Sequence, residues 1–371
     1  MDLHAILHSM ERWSYRNSTV WFAGSLFLSA CSGDYYTKDD FKSIPKVDSH
    51  IHINTESPAI TDLARDDNFV LVLINVDSDN GTSIDEQERF ARIQVANAPA
   101  QAVYLSTFSM NDWGNPSWSD STLGRLKNSF DHGALGIKAW KNIGISVRDS
   151  TGRFVMIDDP GFDKMIRTVI ENDKTMVAHI GEPKNCWLPL EEMTVNNDRN
   201  YFESHPQYHM YLHPEYPRYD EVIAARDHML EQHPDLRIVG AHLGSLEWDL
   251  NELAKRLDRF PNLAVDMAAR IPHLQYLTQK DREAVRQFFD RYQDRLVYAT
   301  DFGLRQGSDP VARSKDLHDT WLADWTYFVT DDSLSSPNVN GAFQGLKLKK
   351  EIINKIYREN AVRWFKIRRN P

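Results

Sequence analysis

From Lys46 onward the sequence repeats one alternation: a short run rich in Val, Ile, Leu and Ala, then a longer segment with helical spacing and charge. The runs are VDSHIHI (47–53), FVLVLINV (69–76), AVYLSTF (102–108), LGIKAW (135–140), MVAHIG (176–181), RIVGAHLG (237–244), LAVDMAA (263–269) and RLVYATDFG (295–303). Strands alternating with helices indicate parallel βα units. Residues 69–76 are apolar at nearly every position, as expected when helices cover one face of a strand and packed barrel layers cover the other. The pattern predicts an α/β chain folded as a (β/α)8 TIM barrel, a single domain over residues 46–371. A doubly wound open sheet is the runner-up and needs an edge order that uniform units do not suggest. Amphipathic spacing predicts helices over 83–97, 121–130, 161–172, 219–232, 250–259 and 282–292. A last helix, from about 346 to 365, would close the outer ring with Ile352, Ile353, Ile356, Val362 and Phe365 on one side.

Two connections are too long for plain turns, 183–218 after the fifth run and 304–344 after the eighth. The first holds Trp187, Tyr201, Phe202, Tyr208, Tyr211 and Tyr216, with His205, His209 and His213; the second holds Trp321, Trp325, Tyr327 and Phe328. Both leave C-terminal strand ends, where barrel active sites form, so both are expected to be lids or pocket walls. The three histidines are spaced by four, yet Pro206 and Pro214 interrupt any helix that would gather them on a metal, which favours pocket lining or surface.

Composition narrows the classes. With 41% hydrophobic and 26% charged residues the chain can fill a core. A net charge of -10 with mixed signs leaves no basic stripe for nucleic acid. At the N-terminus, Arg12 and Arg16 precede the modestly apolar stretch Val20–Ala30, which ends in Leu28-Ser29-Ala30-Cys31. This resembles a bacterial lipoprotein signal peptide with its lipobox. The resemblance implies that residues 1–30 are removed, Cys31 is lipidated and 31–45 form a linker. The protein would then be exported and held on a bacterial membrane by a lipid anchor alone, at the periplasmic or cell-surface face. The competing reading is an N-terminal helix on a cytoplasmic protein. Cys31 and Cys186 are the only cysteines, so no disulfide framework exists, and Cys186 reads as a packed thiol.

Residues i and i+2 of a strand share a face, so His50 and His52 both project to one side, half of a metal site. His179, His242 and Asp301 lie near the ends of the fifth, sixth and eighth runs. Four histidines and a carboxylate arriving at one rim are hard to explain by packing, because a buried Asp must be paired or ligate something. With AHIGEP around His179, VGAHLGS around His242, YATDFG around Asp301 and the closing IYRENAVRWF, the sequence from about Lys46 to Phe365 resembles the amidohydrolase superfamily. It is closest to the amidohydrolase-related (amidohydrolase 2) branch, which includes lactonases and non-oxidative decarboxylases. That resemblance implies His50, His52, His179 and Asp301 as ligands of one divalent metal, zinc or alternatively manganese, with His242 beside the reactive water.

Such an ion can lower the pKa of water to roughly 7. Asp301 would move the proton, and His242 would orient the water or stabilise the oxyanion. Lys138 either bridges a second metal as a carboxylated lysine or meets the substrate. Glu182 is expected beside a ligand histidine, and Arg270 and Arg305 are candidates for clamping a substrate carboxylate. The leading expectation is hydrolysis of a lactone, ester or amide carbonyl in a small molecule. Metal-dependent decarboxylation is the alternative, and a ligand-binding lipoprotein without turnover the third.

Overall fold

Strands buried on both faces need helices outside and side chains stacked inside, and all eight apolar runs form such strands in the computed structural model, which describes residues 33–78 and 81–368. They are β1 (Lys46–Asn54), β2 (Phe69–Ile74), β3 (Ala102–Thr107), β4 (Gly136–Ala139), β5 (Thr175–Ala178), β6 (Ile238–Gly240) and β7 (Leu263–Asp266), while the eighth splits into β8 (Leu296–Val297) and β9 (Phe302–Arg305). From β1 to β8 each strand pairs in parallel with the next, and β9 pairs with β1. Because β8 and β9 are halves of one strand, the sheet closes. The Ser49 N–H donates to Tyr298 O (3.1 Å) and the Asp301 N–H to His50 O (2.9 Å) across the seam. The chain is a (β/α)8 barrel.

Alternation sorts the side chains. Leu71, Leu73, Tyr104, Ile137, Met176, Ile238 and Val265 join the layer under the helices. Val72, Leu105, Val177, Val239, Ala264 and Val297 form the inner cluster, capped by Trp364 and Phe365 of the last helix. Moving two residues on from Gly136, Val177 and Ala264 brings Lys138, His179 and Asp266 to the same inner face, above the apolar layer. In β1 a register shift between Asp48 and Ile51 inserts one extra residue. Val47 belongs to the inner cluster and Ile51 to the outer one, so the bulge turns His50 and His52 inward.

The segment 304–344 differs from expectation. It contains a 20-residue helix, Pro310–Val329, and a hairpin, Ser333–Ser336 with Val339–Gln344. Trp321, Trp325, Tyr327 and Phe328 are fully buried in the main core, so this is the eighth outer helix and not a lid, although Thr326, Tyr327, Leu334 and Phe343 wall a cavity of about 670 Å³. Asp309 capping the helix and Pro310 in its first turn are start signals that the aromatic content of the segment obscured. Helix Ala59–Asp66 was also not anticipated, and the expected 282–292 helix begins at Ile271 with a break at Asp281. The expected linker is packed from Asp34 on: Phe41 is buried, Tyr36 Oη donates to Asn354 Oδ1 (2.9 Å), and Lys350 N donates to Asp34 O (2.8 Å). Residues 1–32, with the leader and Cys31, lie outside the described residues. Among the described residues no helix is long and apolar enough to cross a membrane.

The last helix, starting at Lys350, widens into a π turn at Lys355–Glu359. There Ile356 O accepts the N–H of Tyr298 (2.8 Å), a group that the broken eighth strand leaves without a ladder partner. Asn360 Nδ2 donates to Leu296 O (2.8 Å) and Gln293 O (2.6 Å). Asn360→Ala removes donors from both carbonyls and is expected to cost about 2 kcal/mol, read from the urea midpoint.

Two acids are buried behind the break. Thr300 Oγ1 and Trp321 Nε1 donate to Asp48 Oδ2, and Tyr298 Oη donates to Asp324 Oδ2 (2.8 Å). Burial, with Asp48 adding repulsion, pushes Asp324 up to about 7. An unfolded Asp titrates near 4, so the folded state binds the extra proton in between. Its contribution to stability is complete below about pH 4 and lost as pH rises through about 7. Asp324→Asn is therefore expected to stabilise at pH 8 relative to pH 5, by about 3 kcal/mol in the difference between the unfolding free energies at the two pH values.

Candidate metal centre and its surroundings

The inner rim is built by fixing one nitrogen of each ring. His52 Nδ1 donates to Ile74 O (2.7 Å), which leaves Nε2 as a lone pair 3.2 Å from Asp301 Oδ1. His50 Nδ1 donates to Asp266 Oδ2 (2.9 Å), and its Nε2 lies 3.5 Å from the same Asp301 oxygen. His50, His52 and Asp301 thus offer ligand atoms within 4.8 Å of one another. Asp301 sits in the left-handed region (φ 66), a conformation that Asp tolerates better than most residues. Its N–H on His50 O holds it there.

His179 stands beside this group, paired with His242: His179 Nδ1 and His242 Nε2 are 3.0 Å apart. His242 is held by its N–H on Asp266 Oδ1 (2.7 Å) and by Nδ1 donating to Ala268 O (2.8 Å), in a left-handed turn (φ 61) after β6 ends at Gly240. The expected run to 244 stops early because this turn carries the ring inward. His179 Nε2 is buried without a hydrogen-bond partner among the described residues, 3.4 Å from Glu182 Oε2.

Charge states follow from burial. Desolvation, then Lys138, lowers His50, and desolvation holds His179 and His242 well below the usual imidazole range. Burial alone would raise Asp301, but any proton carried by His50, His52 or His242 outweighs it and holds the carboxyl well below its usual range. Neutral imidazoles and an ionised carboxylate are the states that metal binding requires. Two Nε2 lone pairs, an unpartnered buried third and one carboxylate fit a divalent ion of the zinc or manganese type.

Asp266 is the residue that sequence reasoning missed. It is 1% exposed and takes donors from His50 Nδ1, His242 N and Ala268 N. The available signal was an acid ending the apolar run LAVD on the lumen face. Lys138, also 1% exposed, places Nζ 3.1 Å from His50 Nε2, and desolvation lowers it to about 8 against Asp266 and Asp301. Glu182 lies beside His179 as expected and pairs with Lys141. Arg270 is buried, but its Nε faces Glu247 Oε2 at 4.0 Å. Arg305 ends β9 and is exposed. In the 183–218 connection His205, His209 and His213 each bond a backbone carbonyl, of Tyr201, Leu188 and Pro206, so they do not gather on a metal. That connection has a small core of its own from Cys186, Met193, Phe202 and Met210.

The amidohydrolase family profile matches residues 115–367 of the 371. The chain belongs to the amidohydrolase family. The match takes in His179, His242 and Asp301 and begins after β3, so His50 and His52 join the site through the fold. A candidate amidohydrolase from Staphylococcus aureus shares the fold at TM-score 0.51, 13% identity, covering 87% of this chain and 100% of that one. A 2,6-dihydroxybenzoate decarboxylase from Rhizobium aligns at TM-score 0.47, 16% identity, 87% and 98% coverage. A dihydroorotase from Campylobacter jejuni aligns at 0.46, 10% identity, 88% and 85% coverage. No curated protein matches the chain. Like its family, this is a metal-dependent enzyme of the hydrolase or decarboxylase kind.

Proposed function

We propose that the protein hydrolyses the carbonyl of a small lactone, ester or amide, with one divalent metal held by His50, His52, His179 and Asp301. The observation that carries this reading is the convergence of the His50 and His52 Nε2 lone pairs on Asp301 Oδ1, at 3.5 and 3.2 Å. Zinc suits these donors best and manganese is the alternative. When bound, the ion would supply Lewis acidity to the carbonyl and make water a stronger acid.

The chain's own groups do the rest. Asp301 accepts the proton of the attacking water and returns it to the leaving group. With Nδ1–H on Ala268 O, His242 accepts at Nε2 from His179 Nδ1 (3.0 Å), which leaves His179 Nε2 as a lone pair for the ion and keeps His242 beside the reacting water without a proton to give an oxyanion. Lys138, whose Nζ lies 3.1 Å from His50 Nε2, would be the amine donor available to the reacting carbonyl when that lone pair holds the ion. Decarboxylation is the second reading, favoured by Lys138 itself, a buried amine where a reacting carboxylate would sit. Zinc- and manganese-loaded protein should release acid from a panel of lactones and esters without CO2. Release of CO2 from carboxylated aromatics, with no acid from the panel, overturns the hydrolase reading.

We also propose that Cys31 is acylated after removal of residues 1–30, so that residues 46–371 work from a lipid anchor at a bacterial membrane. The order of arginines, apolar stretch and Leu28-Ser29-Ala30-Cys31 supports it. The expected N-terminal peptide begins with a lipid-modified Cys31, and Cys31→Ser moves the protein to the soluble fraction. An intact Met1 terminus contradicts it.

A further inference from the structure

A carboxylate sealed in a protein without a cation is costly unless donors surround it, and Asp48 is such a group. It is 0% exposed, and among the described residues its oxygens meet hydrogen-bond donors and no cation. Its neighbour Val47 belongs to the inner cluster, so Asp48 points the other way, out of the barrel and under helix Pro310–Val329, whose Trp321 reaches it. Packing in that outer layer asks for an apolar side chain, as at Leu71 and Leu73. The acid needs another reason.

Its donors supply one. The N–H groups of His50 (3.3 Å) and Thr300 (3.1 Å) share Oδ1, while Thr300 Oγ1 (2.6 Å) and Trp321 Nε1 (3.0 Å) share Oδ2. Both N–H groups belong to the irregularities that build the rim. His50 lies inside the register shift between Asp48 and Ile51, and Thr300 lies between the end of β8 at Val297 and the start of β9 at Phe302. Departures from the ladder leave backbone groups to be met by other means, and here one carboxylate oxygen meets two of them. The hold extends around Asp301. Thr300 Oγ1 also accepts the N–H of Phe302 (3.2 Å), and the N–H of Asp301 reaches His50 O (2.9 Å). The left-handed backbone of Asp301 (φ 66) is therefore fixed on both sides, directly by Asp48 or through Thr300.

We propose that Asp48 is a positioning residue for the metal centre: from behind the barrel wall it sets the backbone that carries His50, His52 and Asp301, and with it the spacing of their ligand atoms. The proposal rests on the rim being a metal centre. Asp266 fixes the ring of His50, whereas Asp48 fixes the chain beneath that ring and joins it to the chain beneath Asp301. Ligand distances must hold to about 0.2 Å, so slack in either segment weakens the site without removing a ligand. A carboxylate can accept at both oxygens, twice at each, which no neutral side chain of its size can do. Trp321 donates to Oδ2 alone and touches neither N–H group, so it braces the acid and not the rim.

Cobalt(II) loaded into the protein supplies the test, because its visible bands follow ligand number and geometry. Asp48→Ala should bind cobalt about 10–100-fold more weakly in chelator competition, with altered bands. Thr300→Val keeps the volume and removes both hydroxyl contacts; it should alter the bands too, and it serves if the alanine variant does not fold. Asp48→Asn, whose amide oxygen can still take both N–H groups, should restore most of the affinity. Trp321→Phe should lower the urea midpoint and leave bands and affinity as they are. Unchanged bands and affinity in Asp48→Ala, or in Thr300→Val should the first not fold, overturn the proposal. So does a Trp321→Phe centre altered as much as that of Asp48→Ala, the result for an acid that only stabilises the fold. Absence of cobalt from the unaltered protein overturns the metal-centre reading and this proposal with it, whereas cobalt bound with unmoved bands overturns the positioning role alone. Neither readout needs turnover.

Discussion

Asp301→Asn is expected to lower kcat by at least about a thousandfold while leaving the protein folded, because it removes both the proton acceptor and the charge on which the His50 and His52 nitrogens converge. Two features keep the fold. The N–H of residue 301 still reaches His50 O, closing the β1–β9 seam, and Asn tolerates the left-handed backbone there (φ 66). Asp301→Ala would add backbone strain and confuse the two effects. The comparison to make is kcat beside the thermal midpoint and bound metal. A thousandfold loss with an unchanged midpoint fits the assignment, and a variant with near-normal kcat removes Asp301 from the chemistry.

Asp266→Ala should cost more in stability and nearly as much in function. It withdraws the acceptor from His50 Nδ1, His242 N and Ala268 N at once, all inside the barrel. Leaving those donors unmet is expected to cost about 3 kcal/mol or more. Metal affinity should fall about 10–100-fold, because His50 loses the partner that fixes its tautomer and orientation. Chelator competition reads the affinity and urea unfolding the stability. If affinity is unchanged while stability falls, Asp266 is a structural acid that only braces the β6 and β7 ends.

The barrel was legible because parallel strands buried on both faces leave continuous apolar runs, and all of these runs formed strands. Runs could not show where a strand gives way to a turn. The eighth looks continuous from 295 to 303, yet it breaks after Val297 so that Asp301 can turn inward, and the sixth stops at Gly240 for His242. Aromatic content misled at 304–344: Trp321, Trp325 and Phe328 recur at helical spacing and fill the core, whereas Tyr201, Tyr208 and Tyr211 are partly exposed. His50, His52, Asp301 and the His179–His242 pair could be read as candidates from strand ends alone. Asp266 could not be told from a solvated acid, and the Arg270–Glu247 and Asp48–Thr300 contacts join segments whose proximity only the fold creates.

The most direct test of the account is the metal content of the purified chain from Ser32 onward, beside His52→Ala, after exposure to zinc and then to manganese. The account predicts about one equivalent of divalent metal per chain, retained through gel filtration and lost in the variant. Two equivalents would move Lys138 into the site as a bridging ligand. No bound metal in the unaltered protein would contradict the account at its centre.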